Sequence, residues 1–260
     1  MQGPDLMDVV VTLAISVGLA VAAYARGVLD LRGTLVASTI GIAIGLSAGW
    51  EYVLLLLLYL LTSFAVTMYG YQAKKAAGLA EGRRGERGWR SVMANGLFPT
   101  VLALLHALDL PGIERWQLSV LFVTAIAAAA ADTAASELGV LTRDPVLITR
   151  PSQRVPPGTN GGVSLRGQGF ALAASAYTVL IGSATFIIAG SVRGDVDDQA
   201  FRWTVLLLPV AVCMGFLSCQ VDSVLGATLE NRGHLGKDGV NMSSIGLTSV
   251  LIFLLILGLA

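Results

Sequence analysis

Two carboxylates in this chain stand at the end of a run that should carry none. Asp132 and Glu137 follow the apolar, alanine-rich segment from Leu118 to Ala131, with no turn residue between. A charged side chain at the centre of a membrane helix costs about 2.5–3.5 kcal/mol, so an acidic pair there marks a functional site by default. A basic, proline-punctuated connection follows and ends in Gly158-Thr159-Asn160-Gly161-Gly162. Glycine-rich loops hold phosphate through backbone N–H groups that face the ligand. Carboxylates suited to a metal and a loop suited to phosphate, on one connection, point to phosphoryl chemistry.

Spacing limits how these groups can cooperate. With 3.6 residues per turn, Asp132 and Ser136 share a helix face while Glu137 lies about 140° away. The two carboxylates cannot chelate one ion from an undistorted helix. Either the helix ends between them or each finds partners on other elements; pairing with loop arginines is the plain structural alternative. In the loop, Pro156 and Pro157 stiffen the approach, and Thr159 or Asn160 is placed to cap the next helix. No Lys-Ser/Thr follows the glycines, so this is not a Walker A loop, and an ordinary capping turn is its plain alternative.

A similar unit closes the apolar segment 203–225, where Asp222-Ser223 is followed by Lys237-Asp238-Gly239-Val240-Asn241. Asp132-Thr133 with Gly162-Val163-Ser164, and Asp222-Ser223 with Gly239-Val240-Asn241, look like two copies of one parallel repeat. A membrane carboxylate needs a partner, so Asp132 and Asp222 are expected to converge. The last cluster is the basic loop from Gly70 to Arg90, with Asn95 beyond it. Anionic headgroups account for most of its charges. Lys74, Arg90 and Asn95, nearest the helix ends, are the candidates for gripping phosphate.

The elements that must position these groups are membrane helices. The chain has 260 residues, 55% hydrophobic and only 13% charged, with a mean hydropathy of +0.74. Soluble domains carry about 25% charged residues. Apolar spans fall near 7–25, 34–49, 52–69, 92–110, 118–138, 169–190, 203–225 and 241–259. A bilayer core needs about 20 helical residues, so 34–49 is short, and only Ser47 to Glu51 separates it from the next span as in a tight hairpin. The expected fold is an all-α polytopic membrane protein, one domain over 1–260, with about seven to eight transmembrane helices and motif-bearing cytoplasmic loops.

Charge sorts along that plan. One side collects Arg26 and Arg32; Lys74, Lys75, Arg83, Arg84, Arg87 and Arg90; Arg143, Arg150, Arg154 and Arg166; and Arg232 and Lys237. The other keeps Arg115, Arg193 and Arg202, with Asp195, Asp197 and Asp198 as a solvated turn. The positive-inside rule makes the first side cytoplasmic, puts both termini outside, and places the site where nucleotides are available. Cys213 and Cys219 are six residues apart and turn away from each other on a helix, which excludes a disulfide or metal pair. His106 and His234 are too far apart for a histidine metal site, and no cleavable signal is visible.

In order along the chain stand A-D-T-x-A-S-E-x-G-V-L, then L-I-T-x(6)-P-P-G-T-N-G-G-V-S, then V-D-S-V-L-G-A-T-L-E, then D-x-V-N-x-x-S. This order resembles the transmembrane protein 19 family, whose members include the plastid phytyl-phosphate kinase. The segment R-x(3)-M-A-N-G around Arg90 and Asn95, and the glycine-bearing turn from Leu29 to Ala37, are similar to that family's motifs as well. Ala134 stands where the family usually has tryptophan, and Glu230 where glutamine is common. The resemblance implies transfer of a phosphoryl group from a nucleoside triphosphate, CTP or ATP, to an isoprenyl monophosphate.

The resulting assignment gives Asp132, Glu137 and Asp222, with Asp238, to one or two Mg²⁺ ions. Gly158, Thr159, Asn160, Gly161 and Gly162, with Asn95, Ser223 and Asn241, go to phosphate and substrate, and Lys74, Arg90 and Arg154 to charge neutralisation. The isoprenyl tail is expected between small-residue helices such as Ala127–Ala131. The partners are the bilayer, the nucleotide and the lipid phosphate, with no nucleic acid; a homo-oligomer is compatible with the sequence. Two rivals remain, a lipid-phosphate or anion carrier and a CTP-dependent lipid-phosphate cytidylyltransferase.

Overall fold

The computed structural model describes residues 6–82, 84–108, 110–194 and 198–259, so Arg83, Asp195 and Asp197 lie outside the described residues. Long helices occupy every apolar span: α1 Leu6–Ala25, α2 Leu31–Ala48, α3 Trp50–Met68, α5 Trp89–Ala107, α6 Arg115–Gly139, α7 Leu165–Arg193, α8 Asp198–Leu225 and α9 Lys237–Leu259. Between α3 and α5 lies a short helix, α4 Tyr71–Ala76, and a π-helical turn, Gly226–Glu230, extends α8. The protein is an all-α polytopic membrane protein. Among the described residues six helices are long and apolar enough to cross a membrane: α2, α3, α6, α7, α8 and α9; α1 adds a shorter apolar stretch, Val9–Ala25. Helix α5 is as long as α3 but less apolar, because Arg90, Asn95 and Pro99 fall within it.

Helix α6 is the axis. It starts on a capping box in which the Gln117 side chain accepts from the Glu114 N–H at 2.8 Å, which settles donors the first turn cannot pair. From Leu118 to Ala131 nearly every side chain is buried, and α3, α5, α7, α8 and α9 all pack on it. Alanine and glycine permit this by letting backbones approach: a Cβ on Gly215 of α8 would stand only 3.0 Å from the Ala127 Cβ. Ala127–Ala131 is therefore sealed by helix packing, and the lipid tail expected there finds no groove. Leucines and valines such as Val17, Val21, Leu172, Leu180, Val250 and Leu254 face outward, as a lipid-facing surface requires.

The hairpin between the second and third spans is as tight as expected: Gly49 alone joins α2 to α3. Helix α2 has 18 residues, on the order of 27 Å at 1.5 Å per residue. Its first turn is fixed by Asp30, whose Oδ1 accepts from the Gly33 N–H at 2.6 Å. The residues before it pair with the loop from α4: the Arg87 N–H donates to the Val28 carbonyl at 3.0 Å and the Asp30 N–H to the Arg87 carbonyl at 3.1 Å. Gly33 is obligatory at this crossing, since a Cβ there would lie 2.6 Å from the Arg87 carbonyl oxygen.

The connection from α6 to α7 is more ordered than its prolines suggested. It folds into a small antiparallel sheet of β1 Val146–Leu147, β2 Arg150–Arg154 and β3 Gly162–Val163, with β1 in the middle. Strand β3 separates the glycine loop from α7. The cap of that helix therefore falls to Ser164, whose Oγ accepts from the Gly167 N–H at 3.1 Å, and not to Thr159 or Asn160. The Thr159 hydroxyl turns back to the Pro156 carbonyl at 2.7 Å.

Candidate functional site

Asp132, two turns before the end of α6, meets Asp222 near the end of α8, and their carboxyl groups lie within hydrogen-bonding contact. Helix α9 supports the second of them: the Ser244 hydroxyl donates to Asp222 Oδ2 at 3.3 Å, and the Asn241 amide, turned to the orientation that pairs both its atoms, donates to the same oxygen at 3.1 Å. Two carboxylates this close repel unless a proton or a cation lies between them. Around them opens a cavity of about 300 Å³ walled by the 157–164 loop, Gly167 and Gln168 of α7, Cys219, Ser223 and the π turn, with Lys237 and Glu81 also in its lining.

The glycine loop is held against the π turn by close backbone contact. Gly161 has φ +76°, and a Cβ there would lie 2.4 Å from the Ala227 Cβ and 2.7 Å from the Ser223 carbonyl oxygen. Only glycine fits on both counts. The loop's own backbone turns use the N–H groups of Thr159 and Gly162. A π turn at this point is itself a common mark of a functional site.

Glu137 takes no part in the carboxylate pair. Helix α6 runs unbroken to Gly139, so the 140° offset holds, and each carboxylate finds its partner on another element. Glu137 Oε2 lies 2.6 Å from Lys74 Nζ of α4, and the ammonium also donates to the Thr67 and Val66 carbonyls at 2.6 and 3.2 Å. Lys74 is 1% exposed. Lys74 is saturated and sealed, while Glu137 keeps 10% of its side chain exposed and also lines the cavity.

The remaining assignments divide by exposure. Gly158, Thr159, Asn160, Gly161, Gly162, Ser223 and Asn241 line the cavity with Asp132 and Asp222. Arg154 is exposed and pairs with Asp144 at 3.7 Å, Arg90 is exposed with its guanidinium over the Trp89 ring, and Asp238 lies outside the cavity wall. Asn95 is buried elsewhere, facing a separate apolar chamber. Of the two departures from the family pattern, Glu230 stands in the cavity wall and Ala134 in the packed core.

Sequence reasoning passed over Arg87 and Lys237. Arg87 is 7% exposed and donates to the Tyr59 hydroxyl at 3.2 Å and the Thr133 hydroxyl at 3.4 Å, which brings its charge next to Asp132. A signal existed in its place between Gly85 and Gly88 at the entrance of α5. Lys237 Nζ binds Glu81 Oε2 at 2.7 Å across the cavity. Burial pushes the Glu81 carboxyl up, but the Lys237 ammonium outweighs it and holds the group below its ordinary value. That link is in place at neutral pH and is lost only as the pH falls through the lowered value.

Comparison with known proteins places this architecture. The family model described as integral membrane protein DUF92 matches residues 14–249. The chain belongs to this family. Its relatives include Protein PGR of Arabidopsis thaliana, 31% identical over 96% of this chain and 91% of that protein. An uncharacterized membrane protein of Synechocystis is 32% identical over 74% of this chain and 69% of its own length. Protein VTE6, chloroplastic, of Arabidopsis thaliana is 29% identical over 80% of this chain, which spans 59% of that longer protein. No solved structure matches. DUF92 membership agrees with the transmembrane protein 19 resemblance of the motifs, and the matched range includes both aspartates and the glycine loop.

Proposed function

We propose that the protein is a membrane-embedded kinase that transfers a phosphoryl group from a nucleoside triphosphate, CTP or ATP, to an isoprenyl monophosphate. The observation that carries this reading is the contact of Asp132 with Asp222 in a cavity walled by the glycine loop. Like charges held together, with neither of the nearby cations paired to them (Lys237 binds Glu81 and Arg87 the Tyr59 and Thr133 hydroxyls), suit a site built for a cation and phosphate. The donor set fits Mg²⁺, which binds through one or two carboxylates and completes its shell with water and substrate phosphates. Asp132 and Asp222 would hold it; Glu137 is engaged by Lys74, and among the described residues no three acidic, histidine or cysteine side chains cluster as a metal cage. When bound, the ion would neutralise charge on the donor phosphates.

The chain's own residues then have separable tasks. The N–H groups of Gly158, Asn160 and Gly161, which the loop's own turns do not use, orient the donor, and Lys237 adds positive charge at the cavity wall. Arg87, beside Thr133, faces the acceptor phosphate. An oxygen of that phosphate attacks the terminal phosphorus of the donor, the bond to the bridging oxygen breaks, and a nucleoside diphosphate leaves. The attacking oxygen is already ionised, so no side chain has to remove a proton. Positioning and electrostatics do the work.

The basic end of the bundle, which carries the site, is assigned to the cytoplasm by its arginines and lysines. Cysteines at Lys75 and Ser152 should resist an impermeant thiol reagent in intact cells, and labelling from outside would reverse the orientation. The activity test incubates purified protein with prenyl phosphates, Mg²⁺ and each labelled nucleoside triphosphate. Lipid diphosphate with nucleoside diphosphate is expected. Release of pyrophosphate with a nucleotidyl-lipid would make the protein a cytidylyltransferase, and uptake into proteoliposomes without chemistry would make it a carrier.

A further inference from the structure

Beside the acidic cavity lies a chamber of about 100 Å³ between α1, α2, α3 and α5. Its walls are mostly hydrocarbon: Leu19, Ala20, Ile40, Val53, Leu56 and Leu57 are representative. Three buried polar atoms in this lining have no hydrogen-bond partner, namely Ser16 Oγ, Arg87 Nε and Asn95 Oδ1. Their residues are 5%, 7% and 5% exposed. Buried polar groups in native proteins are paired almost without exception. Among the described residues six other buried helical hydroxyls, those of Thr12, Thr67, Tyr71, Thr178, Ser218 and Ser249, are unpaired as well, but they lie apart from this chamber, whereas Ser16, Arg87 and Asn95 line it together.

The unspent groups describe a ligand. Arg87 Nε–H and the Ser16 hydroxyl are donors, and Asn95 Oδ1 is an acceptor. A phosphate monoester carrying one proton offers acceptor oxygens and one hydroxyl donor. The rest of the chamber offers methyl and methylene contacts, so the other part of the ligand is hydrocarbon. At about 10–15 Å³ of free space per water-sized group, the chamber takes roughly seven to ten such groups. That is one chain, not two. From Tyr59, which holds Arg87, to Val53 the wall runs six residues along α3, about 9 Å at 1.5 Å per residue.

We infer that this chamber holds the chain of a single-chain lipid monophosphate, with its phosphate at Arg87 and its hydrocarbon directed along α3 toward Val53. This rests on the lipid-phosphate reading of the neighbouring site and adds where the acceptor enters. Arg87 forms part of the chamber and also touches Thr133, the residue after Asp132. The acceptor phosphate thus sits against the wall of the cavity that takes the donor, and the two substrates approach from different chambers.

The experiment measures binding without nucleotide. Purified protein is titrated with dimethylallyl, geranyl and farnesyl phosphates, and a geranyl phosphate with a photoreactive group at its chain end is cross-linked and mapped. Affinity should rise at least tenfold from five to ten carbons and gain little beyond, since each methylene buried contributes about fourfold. The label should fall within residues 16–20, 37–41 or 53–57. Val53→Phe, which fills the chamber's far end, should weaken geranyl phosphate tenfold and change dimethylallyl phosphate less than twofold. If that variant does not fold, Ala37→Phe and the cross-link map decide. Labelling of α7 or α8 instead, or affinities indifferent to chain length, would overturn the inference. Lipid bound in this chamber with no diphosphate formed from any nucleotide leaves the inference standing and removes the kinase; diphosphate formation with the label elsewhere does the reverse.

Discussion

Helix α6 carries two carboxylates five residues apart, Glu137 buried and Asp132 half-buried, and the bundle treats them oppositely. Glu137 meets a lysine at 2.6 Å, and two carbonyls complete the ammonium's shell. Asp132 meets a second carboxylate and opens on a cavity. Breaking a buried ion pair costs about 3–5 kcal/mol because the remaining charge is stranded, so the first arrangement is bound to the fold. The second loses nothing of the fold when a charge is removed, because the charges oppose each other. A buried charge with its counter-charge in place is architecture; a charge facing its like beside open space waits for something to bind.

Substitutions should separate the two carboxylates. The largest effect is expected from Asp132→Asn or Asp222→Asn, each lowering turnover about a thousandfold, near 4 kcal/mol of transition-state stabilisation. Neither should lower the thermal midpoint, and the double variant should be scarcely slower than either single one. A folded variant with near-native turnover would remove the aspartates from the site. Glu137→Gln is next and acts on stability, costing about 3–5 kcal/mol in a denaturant titration. Lys74→Met combined with Glu137→Met should recover most of it. If Glu137→Gln instead keeps its stability and loses activity, the contrast between the pairs collapses.

Gly161→Ala should be milder. A left-handed backbone costs a non-glycine residue about 1–2 kcal/mol, and the added Cβ meets Ala227. Loosening the loop should raise the KM for nucleotide roughly tenfold with little change in kcat. Arg154→Gln should do least. Arg154 and Asp144 are 75% and 68% exposed, such pairs contribute about 0–1 kcal/mol at most, and turnover should stay within twofold of native. A larger loss would bring that arginine back to the phosphate.

Much of this was legible in the sequence, because the bilayer leaves a chain few choices. Every apolar span became a helix within a few residues of its expected bounds, since only helices and barrels satisfy their backbone in lipid. Gly161 and Gly33 stand where only glycine fits, and the convergence of Asp132 with Asp222 followed from the cost of a lone membrane carboxylate. Other features depend on chain segments far apart. Which basic residue turns inward is one: Arg90 and Arg154 were expected at the phosphate, yet Arg90 lies outward over Trp89 while Arg87 is drawn in by Tyr59 and Thr133. The room for a lipid chain is another. Ala127–Ala131 suggested space because its side chains are small, but small side chains let α7 and α8 close on α6 and leave none. Composition and periodicity determined where the helices run and which residues must seek partners, because those costs are local. Partner choice and cavity position came only from the tertiary structure, because both depend on distances between helices that no local preference encodes.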